Sequence, residues 1–377
     1  MKAVRMSTQI VGRHKSELDT PAYCIDLEVM EANIRAMSGF IHERGKAWRP
    51  HAKCHKTPAI ANQQLRAGAI GVTVAKVSEA EVYAAAGVRD ILIANMVVGR
   101  TKLERVAALC RTVDPIVACD HFAQAEALAA VCRERGVTCR VIIEVDVGLD
   151  RVGIRPGSDF RDLARGIGGL SGVNLVGIMG YEGHLLRVEN RAEKEDRINS
   201  AIALLVEQRD QMLSDGLTCE IVSAGGTGSY QITSNCDGVT ELQCGGGIFA
   251  DPYYINHCGL TGLESALFVI GTVVSRPKLE RAVLDCGRKT IHLEQEPPVV
   301  KGSVTGRPLP DAVVTGLSAE HGMLKLGPES QDLKIGDKVE LIPGYADFTT
   351  PLHNRFHGVR NGIVETAWPI AARGMLQ

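Results

Sequence analysis

Five basic side chains crowd one decapeptide, "RPHAKCHKTP" at residues 49–58: Arg49, His51, Lys53, His55 and Lys56. A lysine that attacks a carbonyl must spend time as the free amine, and neighbouring cations disfavour its ammonium form. Lys53, set between His51 and His55, is the natural candidate, with Lys56 the alternative. Far downstream stand two glycine-rich stretches, "SAGGTGS" at 223–229 and "CGGG" at 244–247. Backbone N–H groups in such loops can cradle a phosphate, although either loop alone reads equally well as a tight turn. A phosphate anchor opposite a lysine is what pyridoxal phosphate requires, because that cofactor forms a Schiff base with a lysine amine while its phosphate is held.

For these groups to meet, the chain needs a scaffold that gathers distant loops at one end. Eight short β-type runs supply it: "KAWRP", "GVTVA", "DILIA", "PIVAC", "RVIIEVD", "LVGIMGY", "CEIVSAG" and "TELQCG". Helical stretches such as "TKLERVAALCRT" and "HFAQAEALAAVCRERG" alternate with them, which predicts an α/β fold, a (β/α)8 TIM barrel of parallel strands. Chemistry in such a barrel sits at the C-terminal strand ends. The decapeptide follows the first run; Glu144, Asp146, Gly148 and Arg151 follow the fifth; Tyr181, Glu182 and His184 follow the sixth; the glycine loops follow the seventh and eighth. Ahead of the first of these runs, Leu27, Met30, Ile34, Met37 and Ile41 recur at helical spacing. From Ala266 onward the runs are β-type with Gly, Pro and Asn361-Gly362 turns, which predicts a C-terminal all-β domain. The expected division is an N-terminal segment, 1–25, packed with the β domain, a cofactor-binding barrel at 26–265, and the β domain at 266–377.

Composition sets the outer limits. With 45% apolar and 23% charged residues and a formal net charge of -2, the chain reads as an ordinary globular protein with no excess of charge for nucleic acid. No apolar run is long enough for a signal peptide or a membrane span, so the cytoplasm is the expected compartment. Eleven cysteines without a C-x-x-C pair argue against a disulfide framework and a structural zinc cluster.

The chain resembles the family of D-threonine aldolases and eukaryotic-type D-serine dehydratases, which share the alanine-racemase fold of type III pyridoxal phosphate enzymes. The resemblance rests on "DTPAYCIDL", "RPHAKCHK", "KVSEAEV", "GVRDILIAN", "EVDVGLDRVGI", "GGTGSY", "TELQCG" and "HGVRNGIVETAWP". It implies that Lys53 forms the Schiff base, that Gly226, Thr227, Gly228, Gly245 and Gly246 bind the phosphate, that Arg151 and Tyr181 face the ring or the substrate with His51 beside them, and that the enzyme is a head-to-tail homodimer. It also implies a divalent metal in the β domain, magnesium, manganese or zinc, held by a His and an acidic or thiol group two residues later. Here the chain departs: "GYADFTT" has Tyr345 where the His would stand and keeps Asp347. A phenol must first lose a proton of pKa about 10 to ligate. His353 or His357 could substitute. After the sixth run the chain reads "YEGHLLR", with Arg187 at the family's base position; Arg cannot act as a base, which leaves His184, or Glu182 second, either of which reads equally as a supporting hydrogen-bonding group.

The resemblance leaves three reactions on a small amino-acid substrate. Retro-aldol cleavage needs a base on the β-hydroxyl, β-elimination needs Cα-proton abstraction and an acid or metal to release hydroxide, and racemisation needs a base on each face. Lys53 and Tyr345 would form such a racemase pair. Alanine racemases, however, set an Arg against the pyridine nitrogen, whereas "TELQCG" puts Gln243 there, as aldolase-type sequences do. The expectation is therefore a lyase on a β-hydroxy D-amino acid, aldol cleavage ahead of dehydration, with a metal-independent racemase next. A non-catalytic pyridoxal phosphate carrier is the remaining class, and the extra β domain argues against it.

Overall fold

The computed structural model describes residues 10–377. Its first strand, β1 (Ala22–Asp26), runs directly into the helix Leu27–His42, whose predicted apolar stripe is real: Leu27, Met30, Ile34, Met37 and Ile41 are all 3% exposed or less. Each of the eight apolar runs that follow forms a strand of one parallel sheet: β2 (Ala47–Trp48), β3 (Val72–Val74), β4 (Asp90–Met96), β5 (Asp114–Cys119), β6 (Cys139–Glu144), β7 (Val173–Met179), β8 (Ile221–Ala224) and β9 (Glu241–Leu242). Their order is β2-β9-β8-β7-β6-β5-β4-β3. The two ends of that row also meet: His51 bridges Thr73 in parallel, and the N–H groups of Ile70 and Thr73 donate to the carbonyls of Trp48 and Pro50 at 2.9 Å. The sheet therefore closes on itself, as the βα alternation predicts.

Why these runs become buried parallel strands is plain in β6, where Val141, Ile142 and Ile143 in succession are fully buried. A strand covered on both faces tolerates no polar alternation. Leu92, Ile116, Ala118, Ile142, Val176 and Met179 from neighbouring strands share one apolar cluster. The barrel lies in a compact unit made of residues 35–246, 257–260 and 374–377.

The other unit comprises 10–34, 247–256 and 261–373 of the described residues. It holds a nine-stranded sheet built from β1 and from β10 (Leu267–Lys278), β11 (Arg281–Leu284), β12 (Val299–Ser303), β13 (Ala312–Leu317), β14 (Gly322–Leu326), β15 (Lys338–Ile342), β16 (Arg355–Arg360) and β17 (Ile363–Pro369). Residues 10–25 of the expected N-terminal segment belong to this unit, and 1–9 lie outside the described residues. β1 pairs antiparallel with β10 and parallel with β16. Leu18, Ala22, Cys24, Phe268, Ile270, Val304, Val359 and Val364 form its core. Asn361 and Gly362 turn β16 into β17 with φ of +49° and +78°, the left-handed pair that a two-residue hairpin of this kind demands.

Candidate active site

The structure separates the five cations of the decapeptide into different tasks. Arg49, 1% exposed, turns away into the protein. Its Nε lies 3.1 Å from both carboxylate oxygens of Glu241 and its Nη1 2.7 Å from Asp90. Two carboxylates around one buried guanidinium satisfy a charge that would otherwise be costly to bury. His55 is fully buried, and its Nδ1 accepts the Thr57 N–H at 3.0 Å. Burial pushes its pKa down to about 3. Lys56, at φ +49°, forms an ion pair with Glu79, a buried carboxylate that also accepts the N–H groups of Ala75 and Lys76 at 2.9 and 3.0 Å.

That leaves His51 and Lys53. The His51 Nδ1 accepts the Lys53 N–H at 3.2 Å. Burial first, and then the charges of Lys53 and Lys56, hold the His51 pKa well below its ordinary value. A neutral ring whose Nδ1 is an acceptor carries its proton on Nε2. Lys53 sits in the single turn Ala52–Cys54 with its side chain exposed, at the end of β2.

Both glycine loops come to the same strand ends. The His51 N–H donates to the Gln243 carbonyl at 2.9 Å, and a Cβ on Gly245 would stand 2.1 Å from the His51 carbonyl oxygen. Only a residue without a side chain permits that approach. In the other loop a Cβ on Gly226 would meet the Tyr181 ring at 2.7 Å and its hydroxyl at 2.8 Å, so the phenol lies directly on the Gly226 backbone. Among the described residues the N–H groups of Thr227, Gly228 and Gly245 have no acceptor within the chain, although all three residues are buried. Buried backbone donors are ordinarily paired. Three unpaired ones at two adjacent strand ends, with Gly246 next in line, fit an anion such as the phosphate of pyridoxal phosphate.

The β6 and β7 ends complete the ring of groups. The Arg151 guanidinium stands 5.7 Å above the Tyr181 ring and 3.5 Å from Glu144. Burial raises the Glu144 pKa against the pull of Arg151. His184 is exposed, and its Nε2 would lie 3.0 Å from a Cβ on Gly148, at φ +111°. Glu182, the alternative base, is fully buried and accepts the Thr233 hydroxyl at 2.5 Å. It braces the short helix Tyr230–Thr233 behind the glycine loop, so His184 is the imidazole open to a ligand.

Gln243 belongs to a proton-ordered relay that the motif reading did not contain. The Ser223 hydroxyl donates to Glu241 Oε1 at 2.8 Å, and the Gln243 amide nitrogen lies 2.9 Å from the same hydroxyl. A carboxylate held beside Arg49 only accepts, so Ser223 has spent its single proton and takes one from Gln243. The Gln243 amide is thereby oriented, its oxygen directed away from Ser223. Glu241, Ser223 and Asp90 lie up to 192 residues from Arg49 in sequence. The one signal was the polar pair Glu241 and Gln243, spaced i, i+2 on one side of an otherwise apolar run.

Tyr345, Asp347 and His353 stand in the other unit. The Tyr345 hydroxyl donates to Asp347 Oδ2 at 3.1 Å, and burial together with the Asp347 charge pushes its pKa far up. The His353 ring stacks on Tyr23 at 4.4 Å, with Nε2 2.8 Å from the Thr290 carbonyl. His357, on β16, has its pKa lowered to about 4 by burial. Among the described residues no three His, Cys, Asp or Glu side chains converge as a metal site. A neutral phenol and two half-buried imidazoles, one of them stacked on Tyr23, do not fit a divalent ion.

Known proteins give a consistent picture. Residues 25–252 match the family model "Alanine racemase, N-terminal domain" and residues 266–359 the "Putative serine dehydratase domain". The chain is 35% identical to a D-threonine aldolase of Arthrobacter sp. over 365 residues, 96% of this chain and 95% of that one. It is 34% identical to a 3-hydroxy-D-aspartate aldolase of Paracoccus denitrificans (strain Pd 1222) over 374 residues, 96% and 94% of the two chains. The crystal structure of D-threonine aldolase from Filomicrobium marinum superposes with a TM-score of 0.92 at 33% identity, covering 97% of this chain and 99% of that one. No helix among the described residues is long and apolar enough to cross a membrane.

Proposed function

We propose that this chain, which belongs to the family of D-threonine and 3-hydroxy-D-aspartate aldolases built on the alanine racemase N-terminal domain, is a pyridoxal phosphate-dependent lyase that cleaves a β-hydroxy D-amino acid to glycine and an aldehyde. The observation that carries this reading is the meeting of exposed Lys53 with two glycine loops whose buried N–H groups lack acceptors, all at one end of one barrel. When bound, the cofactor withdraws electrons from the substrate Cα and makes its bonds labile. Lys53 would hold it through Nζ; Thr227, Gly228, Gly245 and Gly246 would hold its phosphate; Tyr181 and Gln243 would flank it. Arg151, a permanent cation beside Tyr181, suits the ring oxygen or the substrate carboxylate.

His184 is the base in this reading. It takes the β-hydroxyl proton, the Cα–Cβ bond breaks, the oxygen is left as a carbonyl, and Cα gains a proton to give glycine. His51, neutral with its proton on Nε2, serves as a donor beside Lys53. Racemisation through Tyr345 is disfavoured, because a phenol pushed far up does not give the phenolate that a second base requires. β-Elimination is the second reading, favoured by the match of residues 266–359 to a serine dehydratase domain. The proposed cleavage uses no metal, and a cytoplasmic homodimer is the assembly in which it is expected.

Purified protein incubated with D-threonine, D-serine, D-3-hydroxyaspartate and D-alanine distinguishes the reactions. Glycine plus an aldehyde supports the proposal. Ammonia plus a keto acid would replace it with elimination, and loss of optical rotation without either product with racemisation.

A further inference from the structure

Lys194 stands on the long helix Arg191–Ser214, in a run of charges, yet it is 5% exposed. Its ammonium donates to three carbonyls: Leu186 at 2.8 Å, Gly228 at 3.0 Å and Cys258 at 2.7 Å. No carboxylate pairs with it among the described residues. A buried cation balanced only by carbonyl dipoles is costly to keep. Its position explains what it gains. Gly228 belongs to the glycine loop after β8, Leu186 to the segment that carries His184, and Cys258 ends the helix Pro252–Cys258. A Cβ on Gly228 would meet the side chains of Cys258 at 2.9 Å and Leu186 at 3.1 Å, so the lysine ties together the carbonyls of three segments whose side chains already pack against the Gly228 backbone.

The loop's own hydrogen bonds give this a direction. The Gly226 carbonyl accepts from Ser229 and Tyr230, at 3.1 and 2.9 Å. Because the peptide is planar and trans, the Thr227 N–H points the opposite way. Lys194 fixes the Gly228 carbonyl on its own side, and the loop presents the unpaired N–H groups of Thr227 and Gly228 with a full positive charge behind them.

We propose that Lys194 is a positioning residue for the anion, supplying from behind the glycine loop both its shape and an uncompensated positive charge that selects a phosphorylated ligand. This rests on the reading that the loop binds the phosphate of pyridoxal phosphate. A charge one peptide away, in a poorly screened site, is worth on the order of tenfold or more in the affinity for a dianion.

The test is equilibrium binding of pyridoxal phosphate and of unphosphorylated pyridoxal to the apoprotein, followed by absorbance, in wild type, Lys194→Met and Lys194→Gln. The expected result is that wild type prefers the phosphorylated form and that both variants lose about tenfold or more of that affinity while pyridoxal binds as before. Glutamine keeps donors but no charge, so an affinity equal to wild type in Lys194→Gln overturns the electrostatic role. Equal losses for both ligands in either variant overturn the proposal in favour of simple packing. Wild type that binds the two ligands equally refutes the phosphate reading itself, and the proposal with it. If neither variant folds, wild-type apoprotein labelled with 15N-lysine is titrated with inorganic phosphate: displacement of the slowly exchanging Lys194 ammonium resonance supports the proposal, and an unmoved resonance refutes it.

Discussion

Replacing Gly245 by alanine would place a methyl carbon 2.1 Å from the His51 carbonyl oxygen and 2.9 Å from the His51 backbone N and C. Every contact in that list is backbone, so no rotamer relieves it. The ends of β2 and β9 must part by about 0.9 Å before the closest contact reaches even 3.0 Å, a separation real Cβ atoms still avoid. Lys53 is two residues from His51, and the His51 N–H to Gln243 carbonyl bond, at 2.9 Å, spans the gap that would open. Overpacking of this kind costs roughly 1–3 kcal/mol in stability. A displacement of about 1 Å between a bound group and its reacting partner costs on the order of 100-fold in rate. The expected outcome for Gly245→Ala is therefore a modest fall in the unfolding midpoint with a loss of about 100-fold in kcat/KM and a weakened cofactor absorbance. Gly39→Ala is the control: it lies in the helix Leu27–His42 with nothing within 4 Å of its Cβ, and helix propensity predicts a gain of about 0.5–1 kcal/mol with unchanged activity. A Gly245→Ala enzyme that binds cofactor and turns over like wild type would refute the placement of the second glycine loop against the Lys53 turn.

Lys53→Ala is expected to abolish both activity and the visible absorbance of the bound cofactor. Lys56→Met should keep that absorbance but lose about 3 kcal/mol in a denaturant melt, because the buried Glu79 carboxylate loses its counter-ion and keeps only the N–H groups of Ala75 and Lys76; the reverse pattern would transfer the cofactor to Lys56. Between pH 6 and 5 the chain should lose stability as pH falls. His55 titrates near 3 and His357 near 4 when folded, so near their ordinary value of 6.5 only the unfolded chain takes up these protons. Each such group adds up to about 1.4 kcal/mol per pH unit. His55→Gln should be measurably shallower in urea melts over that interval, and an unchanged slope would contradict the buried neutral ring. Finally, prolonged chelation should leave turnover intact, and a tenfold stimulation by added manganese would show that Tyr345 and Asp347 do not describe the ion site.

The barrel was legible because eight apolar runs alternate with helices, and parallel strands buried on both faces have no other way to write themselves. The strands themselves are short, β2 and β9 only two residues each, since hydrogen bonding stops where the chain bends into the functional loops. Proximity in sequence could not divide the five cations of the decapeptide. What assigns Arg49 and Lys56 to structure is Glu241, Asp90 and Glu79, carboxylates set beside them only by folding. Glu182 looked like a base from the same loop as His184, and only its bond to Thr233 shows it turned inward. Lys194 was the least visible, because a lysine between glutamates on a helix reads as solvated. Its acceptors are carbonyls, which leave no mark in side-chain patterns.

The pairing of β1 with β16 sets an order on the making of the molecule. The ribosome releases β1 more than 300 residues before its parallel neighbour, Arg355–Arg360, exists. Residues 35–246 can close their sheet in that interval at translation speeds of roughly 5–20 residues per second. The first strand meanwhile waits with an open edge that invites pairing with other nascent chains, and it gains its parallel partner only after Arg355–Arg360 has emerged. Aggregation during expression should therefore depend on how long that edge stays open, and slow codons between β9 and β16 should make it worse.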